Sequence, residues 1–289
     1  MAHHPLLAHP LRGSVFFKPE TRCFVRARSD GSGKVTRARG LKELLHEVFW
    51  PTYNFESAQR IALKMAGGQK AGPKFITATG GSKHYGIIRG EVVHAQICDY
   101  SNLSKEEFAA RHEKVHPFTY NVIRVIKEEM NLRILRSEEP VYSASGDFAT
   151  AIDILCLDSE DRLIALELKC GMQSYLMHAN DTMKGRFLCR GYTNSPLNQA
   201  YVQLLSSAMM LREHYGIPVH AAYVIHASEA GVVRHPIPAA MISLRHKIYA
   251  ELVRYAARTL DDRRARIKKR RRHRMEFIGK RPSISVKDK

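Results

Sequence analysis

Cysteine is scarce and shows no pairing pattern: Cys23, Cys98, Cys156, Cys170 and Cys189 are five in number, widely spaced and free of any CxxC pair. Neither a disulfide framework nor a Cys-rich zinc site is supported, and a reducing, intracellular setting is expected. Long apolar runs are missing too, since nothing approaches the roughly 20 residues of a membrane-spanning helix, so no membrane partner is expected. The opening MAHHPLLAHPLRG lacks a signal-peptide core with a cleavage site, and Pro5, Pro10 and Pro19 disfavour the amphipathic helix of a transit peptide. No internal repeat is found.

What the chain does have is an ordinary globular composition over 289 residues, with 44% hydrophobic and 26% charged residues, enough to bury a real core. Lys and Arg total 46 against 28 Asp and Glu, a net charge of +18. The excess sits at the ends: residues 1–40 carry +6, residues 263–289 carry +11, and residues 41–262 are close to neutral at +1. This distribution divides the chain into a basic extended arm (1–40), a globular body (41–262) and a basic tail (263–289). Cationic arms on a neutral body favour a polyanionic partner, most simply DNA reached through its phosphates. Charge of this kind carries no sequence specificity.

Residues 1–39 read as extended and irregular, after which LKELLHEVF and FESAQRIALKMA have helical spacing and form an N-terminal helical region. Six glycines between Gly67 and Gly86 mark a connector before a helix over about Ile87–Tyr100. Ser104 with Glu107 is a capping-box signal for a helical stretch running to about Met130 and interrupted near Pro117. From Leu132 the texture turns to strands, RILRSEEPVYS, FATAIDILCLD and RLIALELKC, the last two joined as a hairpin by DSED. A helix over about Pro196–His214, the strand VHAAYVIHA and a basic C-terminal helix over about Ala239–Arg274 complete an α/β pattern, a central mixed sheet flanked by helices.

Two of these strands carry charge where burial is expected. Asp153 lies within TAIDILCL, and Glu167 and Lys169 alternate along LIALELK, so period-2 geometry puts Glu167 and Lys169 on one face. Buried charges need partners, supplied either by an ion-pair network or by a divalent metal. Carboxylates from adjacent strands, with the Leu168 backbone carbonyl between them, form a hard-oxygen set suited to Mg²⁺, with Mn²⁺ as a substitute. A lysine beside them can orient or deprotonate a metal-bound water that attacks phosphorus.

Asp153 followed by Glu167-Leu168-Lys169 resembles the PD-(D/E)XK nuclease superfamily, with Asp153 as its first metal carboxylate and the second group as its E-x-K. The resemblance covers about residues 86–228 and implies a restriction-endonuclease-like core within residues 41–262. Further features are similar to the RecB-like and viral alkaline exonuclease branch, which includes the mitochondrial genome maintenance exonucleases. Gly90-Glu-Val-Val-His94 fits that branch's Gly-x-x-x-His helix, which implies His94 as an additional metal ligand. Its first strand often carries a Glu, a place Glu138 or Glu139 fills, which implies Glu139 as an accessory residue. Its later helix carries a Gln with a Tyr four residues on. Gln203 fits the first position, Ser207 stands at the second with Tyr201 placed before the Gln, and Thr150 replaces the Gly that usually precedes the Asp by three.

The resemblance implies a metal-dependent DNA nuclease, an exonuclease by its branch, serving recombination, repair or replication. Asp153, Glu167 and Lys169 would be catalytic, and His94, Asp153, Glu167 and the Leu168 carbonyl would hold the metal. The alternative is a catalytically inactive nucleic-acid-binding module on the same fold. His112-Glu113-Lys114-Val115-His116 also matches HExxH, but Pro117 disfavours helical geometry at His116 and no third His follows, so it reads as chance. In the tail, residues 263–274 hold nine Lys/Arg in twelve, and Arg263, Arg264, Lys268, Lys269, Arg270, Arg271 and Arg272 form a candidate phosphate-binding arm or nuclear import signal. Arg190 and Tyr192, in the loop between Lys169 and Gln203, are further substrate-contact candidates that no pattern supports.

Overall fold

Residues 4–9, 14–18, 23–27, 35–50, 74–76, 82–171, 176 and 184–260 are described by the structure, a computed structural model. In chain order its elements are β1 (Val15–Lys18), β2 (Cys23–Ala27), β3 (Val35–Gly40), α1 (Leu41–Val48) and a small ribbon of β4 (Lys74–Ile76) and β5 (Ser82–His84). Next come α2 (Tyr85–Asn102), α3 (Lys105–Arg111) and α4 (Pro117–Arg124), which widens into a π turn over Val125–Glu129. The strands β6 (Arg133–Ser143), β7 (Phe148–Leu157) and β8 (Leu163–Cys170) follow, then α5 (Pro196–Tyr215), β9 (Ala221–Ser228), β10 (Gly231–Pro236), α6 (Ala239–Ser243) and α7 (245–260).

Eight of these strands make one mixed sheet in the order β1-β2-β3-β7-β8-β9-β10, with β6 on the free side of β7. The pairs β3/β7 and β8/β9 are parallel and the rest antiparallel. The α/β architecture with helices flanking a central mixed sheet is therefore present. β7 is buried along nearly its whole length because α1 and α5 cover one face and α2 and α4 the other. Its apolar run FATAIDILCL suits a strand covered on both sides. Leu41, Leu44, Ile152, Leu155, Leu204 and Leu211 pack in the first layer; Val93, Ile97, Val122, Ile154, Leu166 and Ile225 pack in the second. Each such side chain contributes about 1.5–3 kcal/mol on burial.

Several expectations are corrected. The described parts of residues 1–39 are not irregular: β1, β2 and β3 extend the main sheet, and Leu6 is fully buried in the main core. The cause is tertiary, since Val15 and Ala38 cluster with Tyr142 and Ala149, with Phe24 against them, while Arg26 lies over the Tyr142 ring at 4.7 Å. The C-terminal helix is interrupted at Leu244, and β10, unforeseen, pairs with β9. The capping box at Ser104 and Glu107 is formed, and the chain breaks between α3 and α4 before Pro117. FESAQRIALKMA and the tail from residue 261 lie outside the described residues. Among the described residues no helix is long and apolar enough to cross a membrane.

α5 is held at its far end by polar contacts. Its Glu213 accepts hydrogen bonds from the Ser145 backbone N–H (3.0 Å), the Ser145 hydroxyl (2.6 Å) and the Tyr249 hydroxyl, tying α5 and α7 to the β6–β7 turn. Gly216 ends the helix in the left-handed conformation, φ 68°, which costs glycine nothing.

His226 of β9 is 1% exposed, and its Nε2–H donates to the Gly171 carbonyl at 3.1 Å, while Nδ1 has no partner among the described residues. Burial holds its pKa down at about 4, with His235 adding to the effect and the Gly171 bond opposing it. The unfolded imidazole titrates near 6.5, so between about pH 6.5 and 4 the unfolded chain binds a proton that the folded chain refuses. Stability should fall by on the order of 3 kcal/mol as pH drops through that window. Urea unfolding at pH 7, 5.5 and 4 should show His226→Gln losing less stability than wild type by that amount; parallel losses would contradict it.

Candidate metal centre

The site lies where two strands part. The β7/β8 ladder runs from Leu157↔Leu163 to Ile154↔Leu166 and then ends, β8 continuing against β9 as far as Cys170. At this fork the Leu168 N–H donates not to a backbone carbonyl of β7 but to the Asp153 carboxylate, at 2.7 Å. Asp153 is also where β7 turns over. Ile152 packs in the first layer and Ile154 in the second, although residues two apart on a regular strand share a face.

Glu167 and Lys169 follow the expected period. Glu167 is 2% exposed, and its Oε1 accepts from the Lys169 ammonium at 2.5 Å while its Oε2 accepts from the Gln203 amide at 3.0 Å. Gln203 comes from the middle of α5, so the helix whose apolar face fills the first layer also orients this carboxylate.

From the other layer α2 brings His94, whose Nδ1 lies 3.1 Å from Glu138 Oε1. Glu138 falls between the pairs Ser137↔Ile154 and Glu139↔Ile152, hence opposite Asp153. Its φ of 52° is unusual for a residue inside a strand and re-aims the side chain at the fork. Ligand atoms of His94, Glu138 and Asp153 all lie within 4.8 Å of one another. Opposite ligands on an ion with bonds of about 2.1 Å are about 4.2 Å apart, so small side-chain movements suffice to close the set. Of the two neighbouring glutamates, Glu138 is thus the one at the cluster; Glu139 is buried beside it and does not join.

Electrostatics mark the same place. Burial raises the pKa of Asp153 against the pull of His94 and Lys169, and burial followed by repulsion from Asp153 raises that of Glu167 against the pull of Lys169. For Lys169, burial opposes protonation but Glu167 and Asp153 outweigh it and raise its pKa. For His94, burial likewise opposes, and Asp153 with Glu138 pushes the imidazole up to about 9. The carboxylates are thus crowded with negative charge that protons and the lysine only partly offset. Two carboxylates and an imidazole in that state fit a divalent cation.

Lys42 was not foreseen. α1 leaves β3 just after Gly40 pairs with Ala149 of β7, which sets its first turn over the fork. The Lys169 charge, then burial, lowers the Lys42 pKa, with Glu167 and Asp153 opposing. A cation in the first turn also opposes the helix dipole, so the position suits an anion arriving from solution. In the sequence Lys42 is one polar residue of an amphipathic helix, and no spacing links it to Asp153.

The remaining candidates lie elsewhere. His112 caps the end of α3 and bonds Asp99 Oδ2 at 2.7 Å, whereas His116 caps the start of α4 and accepts from the Phe118 N–H at 3.1 Å, so the HExxH residues share no helix face. Arg263, Arg264 and Lys268 through Arg272 are outside the described residues. A comparison of the sequence with protein-family models found no match, and a comparison with curated proteins found none either.

Mn²⁺ titration followed by EPR separates the two glutamates. Glu138→Gln should weaken binding about tenfold or more, while Glu139→Gln should leave it within about twofold. Equal effects would place the donor set elsewhere.

Proposed function

We propose that the chain is a divalent-metal-dependent DNA nuclease of the PD-(D/E)XK type, acting from DNA ends. The observation that carries this reading is the fork itself. Glu138, Asp153 and Glu167 stand on three neighbouring strands, with His94 above them and Lys169 bonded to Glu167. Such a set has the composition that phosphodiester hydrolysis requires, namely hard ligands for Mg²⁺ or Mn²⁺ beside a cation that can meet the phosphate.

His94, Glu138 and Asp153 would hold the metal, with Glu167 and the Leu168 carbonyl at its margin. When bound, such an ion polarises a phosphoryl oxygen and makes water a stronger nucleophile. The ammonium of Lys169, favoured by its two carboxylates, orients the attacking water and stabilises developing negative charge through its N–H groups. Gln203 fixes Glu167 and so fixes Lys169. Lys42 offers a second cation to the incoming phosphate. The basic residues of 263–274 supply non-specific, salt-sensitive attraction to DNA.

The test is incubation of the full-length protein with end-labelled linear DNA and with circular DNA, in Mg²⁺ and in chelator. Linear DNA alone should be degraded, in Mg²⁺ only, and Lys169→Ala should lower the rate about a hundredfold or more while DNA binding persists. Loss of both DNA forms would make it an endonuclease. Binding without any cleavage would leave a non-catalytic nucleic-acid-binding module and remove the catalytic roles assigned to Asp153, Glu167 and Lys169.

A further inference from the structure

We propose that the groove beside Phe187 is a contact for a single nucleic-acid strand, in which an unpaired base stacks on the Phe187 ring and neighbouring phosphates meet Arg190 and Lys247. This rests on the nucleic-acid reading above but not on cleavage. Phe187 is 55% exposed and sits at φ 51°, a backbone region unfavourable for a bulky residue. A left-handed backbone at a bulky residue and a ring more than half exposed each cost stability.

The turn that presents the ring is pinned by hydrogen bonds. The Arg186 N–H donates to the Phe49 carbonyl at 2.8 Å, the Cys189 N–H to the Arg186 carbonyl at 3.0 Å, and Lys184 is bridged to Thr193. Cys189 is fully buried and Leu188 packs against the main core. The ring is therefore held ready rather than swinging free, which lowers the ordering cost of binding.

Around it lies a groove of about 510 Å³ between this turn and α7. Arg190 and Lys247 line it and are exposed, while Arg254 is paired with the one acid of the lining, Glu251, so those two charges offset each other. The turn 184–190 reads KGRFLCR, adding exposed Lys184 and Arg186 and no acid. Beyond Leu260 at the end of α7, the sequence soon enters the nine cations of 263–274. A lone exposed ring among cations matches the requirement for strand binding, in which bases stack on aromatics and phosphates meet Lys and Arg. A protein partner would call for a broader apolar patch. Intact duplex hides its base faces, so a single strand or frayed end is the form selected.

The test is fluorescence anisotropy with the full-length protein in chelator, using labelled oligothymidylate and a blunt duplex of equal length. Phe187→Ala should weaken strand binding about tenfold, equivalent to about 1.4 kcal/mol, with duplex affinity within about twofold and Phe187→Trp close to wild type. Lys247→Ala should flatten the dependence of log K on log salt by about 0.7. Unchanged strand affinity in Phe187→Ala, or equal loss for strand and duplex, would overturn the proposal. Should Phe187→Ala fail to fold by circular dichroism, photocrosslinking of wild type to 5-iodouracil oligonucleotides decides: crosslinks at Phe187 support the contact, and crosslinks found only elsewhere overturn it. A protein that binds strands through Phe187 yet cuts nothing in Mg²⁺ keeps this contact and loses the nuclease reading. One that cuts DNA with Phe187-independent binding does the reverse.

Discussion

Negative charge held inside a β-sheet is the constraint on which this structure turns. Asp153 and Glu167 stand in strands whose other side chains are mostly buried hydrocarbon. An ion in such a place costs several kcal/mol unless compensated. Compensation arrives from every side: the Leu168 N–H in the sheet, Lys169 on the same strand, Gln203 from α5, His94 from α2 and the charge of Lys42 from α1. Docking the helices and assembling the cluster are consequently one event, since a helix that failed to dock would leave a carboxylate unpaired as well as apolar surface exposed.

The sheet accommodates the cluster by giving up regularity there. β7 and β8 stop pairing after Ile154↔Leu166, β7 turns over at Asp153, and Glu138 takes a left-handed backbone opposite it. A regular sheet would place Asp153 and its neighbours on fixed opposite faces, with no common point for groups from the two helical layers. The fork opens the sheet edge-on, so His94 from one layer and Glu167, held by Gln203 from the other, converge on Asp153. Backbone strain at Glu138 is concentrated at a donor residue, where the charges around it hold it in place.

α5 links the fork to the groove at Phe187. Its Gln203 orients Glu167 at one point, and a few turns on its Glu213 binds the Tyr249 hydroxyl of α7 and the Ser145 turn. α7 in turn supplies Lys247 and Arg254 to the groove. The carboxylate-lined fork and the cationic groove thus share one helix as their common support, with apolar layers fixing its position between them.

Local periodicity determined much of this by itself. The apolar runs of β7 and β8, the acidic hairpin between them, the capping box at Ser104, the break at Pro117 and the shared face of Glu167 and Lys169 all follow from neighbours two to four residues apart. Other features depended on contacts between residues far apart in the chain. β1 to β3 are strands because Tyr142 and Ala149 bury them, Glu138 rather than Glu139 reaches the cluster because its backbone is left-handed, and Lys42 stands at the fork because β3 pairs with β7 before α1 begins. Phe187 is exposed because the turn beneath it is pinned to Phe49. A one-dimensional pattern records which side chains can share a face, but a strand that slips by one residue exchanges its faces, and only the packed sheet decides where that slip occurs.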